Sequence, residues 1–342
     1  VTIRIGVIGA GANTRTRHIP GFLAIPEVEI VAVCNRTPES GQRVAKEFNI
    51  PTVAPNWREV VEAPGIDAIC VGTWPNMHAK LAVASLRQGK HVLTEARMAR
   101  NIAEAEMMLE EARLHPKLVA QIVPAPMSLP FDSTITWMAQ SGMLGPIREV
   151  IMTCTNDAFA DSTTPRSWRQ DTSLSGKNTL YLGIYYEMVM RWLGRGVTSV
   201  VATAAIYTKE RKDEEGVPWP TTIPESVSVL GTFEDGARLI GHFSGVERTG
   251  ARNEIRINGS NAGVRLDLTR NELWLTKGRE KERLVDVPPE RRGSWRVEAD
   301  FIDSIREGKP VRLTDFETGA KYMQFTDAVW ESWNNHGQRV TL

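Results

Sequence analysis

The chain has 342 residues, with 41 Lys plus Arg against 41 Asp plus Glu and a formal net charge of zero. That length accommodates a large core and two domains, and the balanced charge argues against a general polyanion binder, so no nucleic-acid partner is expected. No apolar run is long enough to span a bilayer, and the first strand starts too near the first residue to leave room for a signal peptide; a cytoplasmic protein without a membrane partner is expected. The three cysteines, Cys34, Cys70 and Cys154, lie far apart in apolar runs with no CxxC or metal-ligand spacing. They read as buried reduced thiols, and no metal is expected.

Taken in chain order, the first third alternates strand and helix. Residues 3–8 are a short apolar run followed by glycines and a helical stretch over 17–23. Strand patterns recur over 29–34, 68–71, 91–94 and 118–123, separated by helical patterns over 39–48, 77–88 and 101–114. Pro38 opens the first of these helices at a favoured early position, and Gly89 closes the second. This alternation predicts a parallel sheet covered on both faces. Pro124, Pro126 and Pro130 punctuate a crossing into a second region. There the pattern reads helix over 131–141, strand over 147–155, a long irregular stretch over 156–177 and helix over 180–193. Strands then dominate, at 199–207, 226–233, 237–244, 253–258, 264–268 and 272–275. Asp235-Gly236 is a hairpin signal and 259–263 a glycine-rich turn, so a largely antiparallel sheet is expected. Helices over 296–305 and 316–333 close the chain.

The run from Ile3 to Thr14 is a strand entering a glycine turn. Gly9 permits the turn, and Gly11 lets the backbone approach a pyrophosphate. Ala12, Asn13 and Thr14 then open a helix whose N-terminus offers free N–H groups and a positive dipole end. Thr14 stands where the dinucleotide fingerprint has its third glycine. The second strand ends Val33-Cys34-Asn35-Arg36-Thr37, where an NAD site usually places Asp or Glu on the ribose 2′-hydroxyl. With Asn35 and Arg36 there, nothing repels a 2′-phosphate, and Arg36 is placed to pair with one; NADP is expected as cofactor, with NAD as the alternative if Arg36 only stacks on adenine.

Three stretches together resemble the Gfo/Idh/MocA family of glucose-fructose oxidoreductases and inositol dehydrogenases. They are the fingerprint with Arg17-His18-Ile19-Pro20, the run Gly72-Thr73-Trp74-Pro75-Asn76-Met77-His78, and the run from Gly89 to Arg97. The order of elements is similar from end to end. The resemblance implies an α/β protein with an N-terminal Rossmann dinucleotide-binding domain over 1–123. It also implies a C-terminal α/β substrate-binding domain over 124–342 with a large, mostly antiparallel open sheet, through which a homodimer or homotetramer would form. A sugar, polyol or related small molecule would lie on the nicotinamide between the domains. Position by position, it places Gly9, Gly11, Asn35, Arg36, Thr73, Trp74, Pro75, His78, Glu95, Ala96 and Arg97 at the cofactor.

The chain departs from the family where the chemistry sits. Relatives usually read Glu-Lys-Pro where this chain reads Glu95-Ala96-Arg97, so the lysine beside the nicotinamide is absent. On the helix over 180–193, aligned on Gly183, the usual Asp and His positions are Tyr181 and Tyr185. The strand over 119–123, where relatives often carry Asn and Arg, reads Val-Ala-Gln-Ile-Val. An alcohol that gives up hydride also gives up a proton, so Tyr181 and Tyr185, sharing a helix face at i,i+4 spacing, become candidate proton carriers. A base role for tyrosine requires a cationic neighbour, and Arg97, Arg169 and Lys177 are the cations nearest the motifs. The plainer reading makes both tyrosines core aromatics. Trp168 and Arg169 suit stacking on a sugar ring and pairing with a polar substituent, or else anchor their loop. Glu187, in an otherwise apolar helix, is a buried catalytic acid or the i,i+4 partner of Arg191. His18 reads as a loop or cofactor-side residue.

Three classes of function follow. The first is an NAD(P)-dependent oxidoreductase of a sugar-like molecule with tyrosine as proton carrier. The second is a redox-neutral enzyme that cleaves glycosides by oxidation, elimination, addition and reduction with a recycled cofactor. The third is a non-catalytic ligand sensor on the same fold.

Overall fold

In the computed structural model, which describes residues 2–342, β1 (Ile3–Ile8) leads into a helical stretch over 12–23. That stretch widens to π geometry over Thr14–His18 and continues as α1 (Ile19–Leu23). There follow β2 (Val28–Cys34), α2 (Pro38–Phe48), β3 (Thr52–Val53), α3 (Trp57–Glu62), β4 (Ala68–Val71), α4 (Pro75–Arg87), β5 (His91–Thr94), α5 (Ile102–Leu114) and β6 (Ala120–Ile122). The six strands pair in parallel in the order β3-β2-β1-β4-β5-β6. β4 is buried at every position, as expected of a parallel strand with both faces covered. The helices start where polar side chains replace missing backbone partners. Thr37, Asn56 and Asn101 each accept an N–H from the first turn of the helix that follows. Asn49, in the left-handed region, closes α2.

The chain goes on through α6 (Asp132–Gln140), β7 (Ile147–Thr155), a 3₁₀ turn (Trp168–Gln170), α7 (Thr172–Ser175), α8 (Leu182–Leu193), β8 (Val197–Ala205), β9 (Glu210–Lys212) and β10 (Pro218–Pro220). Then come β11 (Ser226–Phe233), β12 (Arg238–Ser244), β13 (Arg252–Gly259), β14 (Ala262–Asp267), β15 (Glu272–Lys277), β16 (Arg283–Leu284), α9 (Val297–Glu307), α10 (Phe316–Asn334) and β17 (Val340–Thr341). Nine strands form the second sheet, β16-β15-β14-β13-β7-β12-β11-β8-β17; β7 and β12 run parallel, and the other neighbours are antiparallel. Alternation is plain on β7, where Val150, Met152 and Cys154 are buried while Glu149, Ile151 and Thr153 are not. β9 and β10 make a separate hairpin.

The chain divides into two compact units, one reaching to Pro124 with Arg296–Ala320, the other Ala125–Trp295 with Lys321–Leu342. A single break after residue 123 puts residues 296–320 in the wrong unit. That segment returns to the first unit, and the reason is the edge strand. Ile122 of β6 exchanges backbone hydrogen bonds with Thr314, at 2.9 and 3.3 Å, and Gln121 donates to the Val297 carbonyl at 3.1 Å. A segment distant in sequence pairs with the open edge and accepts the N–H of a buried amide. Among the described residues, no helix is long and apolar enough to cross a membrane.

Candidate active site

The end of β1 is held by the end of β2. Gly9, at φ +87°, donates its N–H to the Cys34 carbonyl at 2.8 Å, and Ala10 donates to Asn35 Oδ1 at 2.7 Å. Asn35 in turn donates to Ser40 Oγ at 2.9 Å, so it serves as a brace for the turn. A Cβ on Gly9 would lie 2.7 Å from the Thr73 nitrogen, which excludes any other residue there. Gly11 and Ala12 are exposed, and a Cβ placed on Gly11 meets nothing closer than 3.7 Å. Open space thus lies in front of a helix start whose first-turn N–H groups have no intrahelical acceptor. The cradle fits a pyrophosphate. Asn13 is half-buried and turned toward Glu95, as described below. Thr14 is buried, against the expectation that it faces the cofactor. Its Oγ1 sits where a Cβ on Gly72 would be, 2.0 Å away, so the third-glycine position tolerates a side chain because Gly72 has none.

Arg36 is exposed, its guanidinium carbon 5.4 Å from the centroid of the Trp74 ring. Thr73 and Trp74 are half-buried ahead of α4, and Pro75 occupies its first turn. His78 departs from its expected place at the cofactor. It is fully buried, with Nε2 3.0 Å from the Thr73 carbonyl and Nδ1 3.0 Å from the Arg97 carbonyl. It ties α4 to the segment after β5, and burial lowers its pKa.

Glu95 lies directly after β5 and is the centre of a charged cluster. Asn13 Nδ2 donates to its Oε1, and His18 Nε2 reaches the same oxygen at 3.0 Å. The other ring nitrogen of His18 is 2.5 Å from Glu298 Oε1. His18 is 1% exposed, Glu298 4% and Glu95 16%. Burial opposes charge on His18, but hydrogen bonds to Glu298 and Glu95 outweigh it, and the pKa is pushed up to about 9. Burial likewise works against the Glu95 carboxylate, yet His18 and Asn13 hold it below its ordinary range. Ala96 follows, joined to Arg97 by a cis peptide bond, and the Arg97 side chain is buried. Glu298 escaped the sequence reading. The available signal was an acid on the buried face of α9, three and four residues before Phe301 and Ile302.

In the second unit, α8 starts two residues later than the pattern suggests. Leu180 has φ +48°, and Tyr181 is the non-helical cap, its carbonyl accepting the Tyr185 N–H at 3.0 Å. Tyr181 therefore stands at the cap, and Tyr185 lies within the helix. Tyr181 is 47% exposed, Tyr185 2%. Tyr185 packs edge-on against Phe243 at 5.4 Å and bonds Cys154, and burial pushes its hydroxyl far above the usual tyrosine range. It is a core residue. Glu187 is buried, accepting the Ala125 N–H at 2.8 Å and Arg191 at 2.5 Å; Arg191 also reaches Asp132 at 2.7 Å. Its carboxylate is consumed by the fold, which removes it from the substrate-binding set. Lys177, half-exposed, has its Nζ 2.5 Å from Asp327 Oδ2. Trp168 is half-buried and Arg169 exposed. The 3₁₀ turn that bears them is capped reciprocally by Ser167 and Gln170, and the exposed Arg169 guanidinium lies 4.4 Å from the Trp168 ring centroid. Among the described residues, no group of three or more His, Cys, Asp or Glu is arranged to hold a metal ion.

With this geometry in hand, the comparisons with known proteins agree in direction. Residues 3–122 match the model of an oxidoreductase family with an NAD-binding Rossmann fold, and residues 134–265 match the GFO/IDH/MocA C-terminal domain. Levoglucosan dehydrogenase of Pseudarthrobacter phenanthrenivorans is 23% identical over 379 residues, covering 96% of either chain. The dTDP-3,4-didehydro-2,6-dideoxy-alpha-D-glucose 3-reductase of Streptomyces antibioticus is 26% identical over 326 residues, covering 93% of either chain. A solved levoglucosan dehydrogenase in complex with NADH and levoglucosan superposes with a TM-score of 0.89 at 22% identity, covering 100% of this chain and 99% of that one. The chain belongs to the Gfo/Idh/MocA family of NAD-binding oxidoreductases.

Proposed function

We propose that the protein is an NAD(P)-dependent oxidoreductase acting on a sugar, polyol or related hydroxylated small molecule, with NADP preferred. The observation that carries the reading is the braced glycine turn with open space before it, next to a strand end that presents Arg36 and no carboxylate. The sugar-like substrate is supported by relatives that are named for sugar substrates along nearly their full length. A bound nicotinamide supplies the hydride acceptor or donor. The chain's own part is to hold the dinucleotide at Gly9 to Asn13, to pair Arg36 with a 2′-phosphate, and to move the substrate proton. Ala96 offers no proton carrier and Tyr185 is enclosed, so that task falls to Tyr181. The reading assigns Trp168 and the exposed Arg169 to the sugar-like ligand.

Assembly into a homodimer or homotetramer would use the less buried face of the nine-stranded sheet. Val201, Leu230, Ile240 and Ile151 lie in register there across β8, β11, β12 and β7, and none of them is buried.

The test combines cofactor titration with absorbance at the reduced-nicotinamide wavelength across candidate sugars and polyols. Net cofactor turnover is expected, and Arg36→Ala should lower the NADP-to-NAD affinity ratio about tenfold or more, the worth of a charged hydrogen bond. An unchanged ratio removes the NADP assignment. Product without net absorbance change, abolished by stripping the cofactor, replaces the reading with redox-neutral glycoside cleavage. Binding without turnover of either kind replaces it with a sensor.

A further inference from the structure

We propose that His18 and Glu298 are positioning residues for Glu95, clamping its carboxylate to the helix that starts at the dinucleotide turn. The inference rests on the cofactor reading above and deepens it. Asn13 and His18, five residues apart on that helix, both approach Glu95 Oε1, while the Ala96 N–H approaches Oε2 at 3.3 Å. The strand end that carries Glu95 and the turn that carries Gly9 and Gly11 are thereby locked together. Glu298 holds the far side of the imidazole and is brought there by α9. It lies so close over the helix that a Cβ on Gly21 would be 2.8 Å from its carboxyl carbon. A carboxylate oxygen faces each ring nitrogen, so both nitrogens must donate, and the ring is an imidazolium. Residue 96 is alanine, and the cation that reaches Glu95 is the His18 ring, 3.0 Å from its Oε1.

The titratable groups facing the cluster are Glu95 after β5, Glu298 on α9, His78 on α4 and Cys70 on β4. Burial lowers the His78 pKa and pushes the Cys70 thiol well up, so neither changes charge between neutrality and pH 9. An alkaline step in that window belongs to His18. When His18 loses its proton, one ring donor is lost and two carboxylates share a neutral ring, so the hold on Glu95 weakens to Asn13, the Ala96 N–H and at most the one remaining ring N–H.

Two measurements test this: dissociation constants of NADH and NADPH by fluorescence from pH 6.5 to 10, and the ring titration of His18 by NMR in the cofactor-free protein. Wild type should titrate near pH 9 in the ring signal, and affinity should fall about tenfold through the same range, as expected of a modest coupling between sites. Glu298→Gln keeps the shape and one hydrogen bond but removes a charge. It should leave the circular dichroism unchanged and move both transitions at least one pH unit lower. His18→Gln should weaken binding about tenfold at pH 7 and abolish the alkaline step. If Glu298→Gln binds as wild type does with the same pH profile, the clamp is overturned while the cofactor reading stands. If wild type binds neither dinucleotide, both fall. A ring titration near 6.5 overturns the clamp whatever the binding shows.

Discussion

Each unit buries a charged cluster, and the two are finished differently. In the second unit, Arg211 and Glu225 are both completely enclosed and 2.6 Å apart. Arg211 donates to the carbonyls of Phe159, Asp161 and Thr164 and to Thr208 Oγ1. Glu225 also accepts the N–H groups of Tyr207 and Thr208. In the first unit, His18 joins Glu95 and Glu298, but Glu95 keeps 16% exposure and lies after a strand end beside the glycine turn. The enclosed pair ties the long connection between β7 and α8 to the turn after β8. The partly open cluster retains a charged oxygen near the place where ligands bind on parallel sheets. The Arg211–Glu225 pair is saturated by its own fold, whereas the His18 cluster keeps one carboxylate partly open to solvent.

The strongest test of that contrast is to break the saturated pair. Arg211→Met strands the Glu225 carboxylate in the interior, and removing one partner of a buried pair costs about 3–5 kcal/mol. Denaturant unfolding at neutral pH should show a loss of that size, together with new proteolytic cleavage within residues 156–171. A loss under about 1 kcal/mol would place the pair among the weak surface bridges and erase the distinction.

A second, somewhat smaller effect should appear only in the open cluster. The folded His18 pKa is raised from 6.5 to about 9, so its stabilisation is fully present below pH 6.5 and is lost as pH rises through 9. At about 1.4 kcal/mol per unit this is on the order of 3 kcal/mol. Unfolding free energies measured from pH 6 to 10 should show the decline, and Arg211→Met should show it equally, because the clusters share no partner. A flat profile in wild type would mean that the imidazole is neutral in the fold, and the contrast between the units would then lose its charged half.

Much of the first unit was legible because its signals are local. Apolar strands, capping residues and the turn at Gly9 act through neighbours in sequence, and the elements from β1 to β6 other than β3 and α3 follow the pattern. β3, β16 and β17 are two residues long and exist only through pairing, so no periodicity announces them. α3 is six residues long, and its cap at Asn56 is its one strong mark. The return of residues 296–320 depends on an unfilled sheet edge, and Glu298 meets His18 across 280 positions of sequence. In the second unit, the polar residues singled out on and before α8 looked alike in sequence. Their partners separated them: Glu187 went to Ala125 and Arg191, Lys177 to Asp327, Tyr185 to Cys154 and Phe243. No spacing rule tells which polar group the core will consume.

Tyr185 and Tyr181 carry the same contrast to its smallest scale. Tyr185 is enclosed and bonded like Arg211, while Tyr181, at the helix cap, is left open like Glu95. Removing the Tyr185 hydroxyl forfeits one weak bond to a thiol and leaves the ring packing on Phe243 intact. Tyr185→Phe should therefore cost about 1 kcal/mol or less in unfolding and leave turnover within about twofold, since no proton transfer passes through it. Tyr181→Phe should do the reverse, with stability unchanged and turnover down about a hundredfold, the lower end of what a proton carrier contributes. Steady-state rates and denaturant midpoints on both variants decide it. If Tyr185→Phe is the one that abolishes turnover, then an enclosed and bonded hydroxyl is still doing chemistry, and completeness of burial stops being a guide to which polar groups this fold keeps for its substrate.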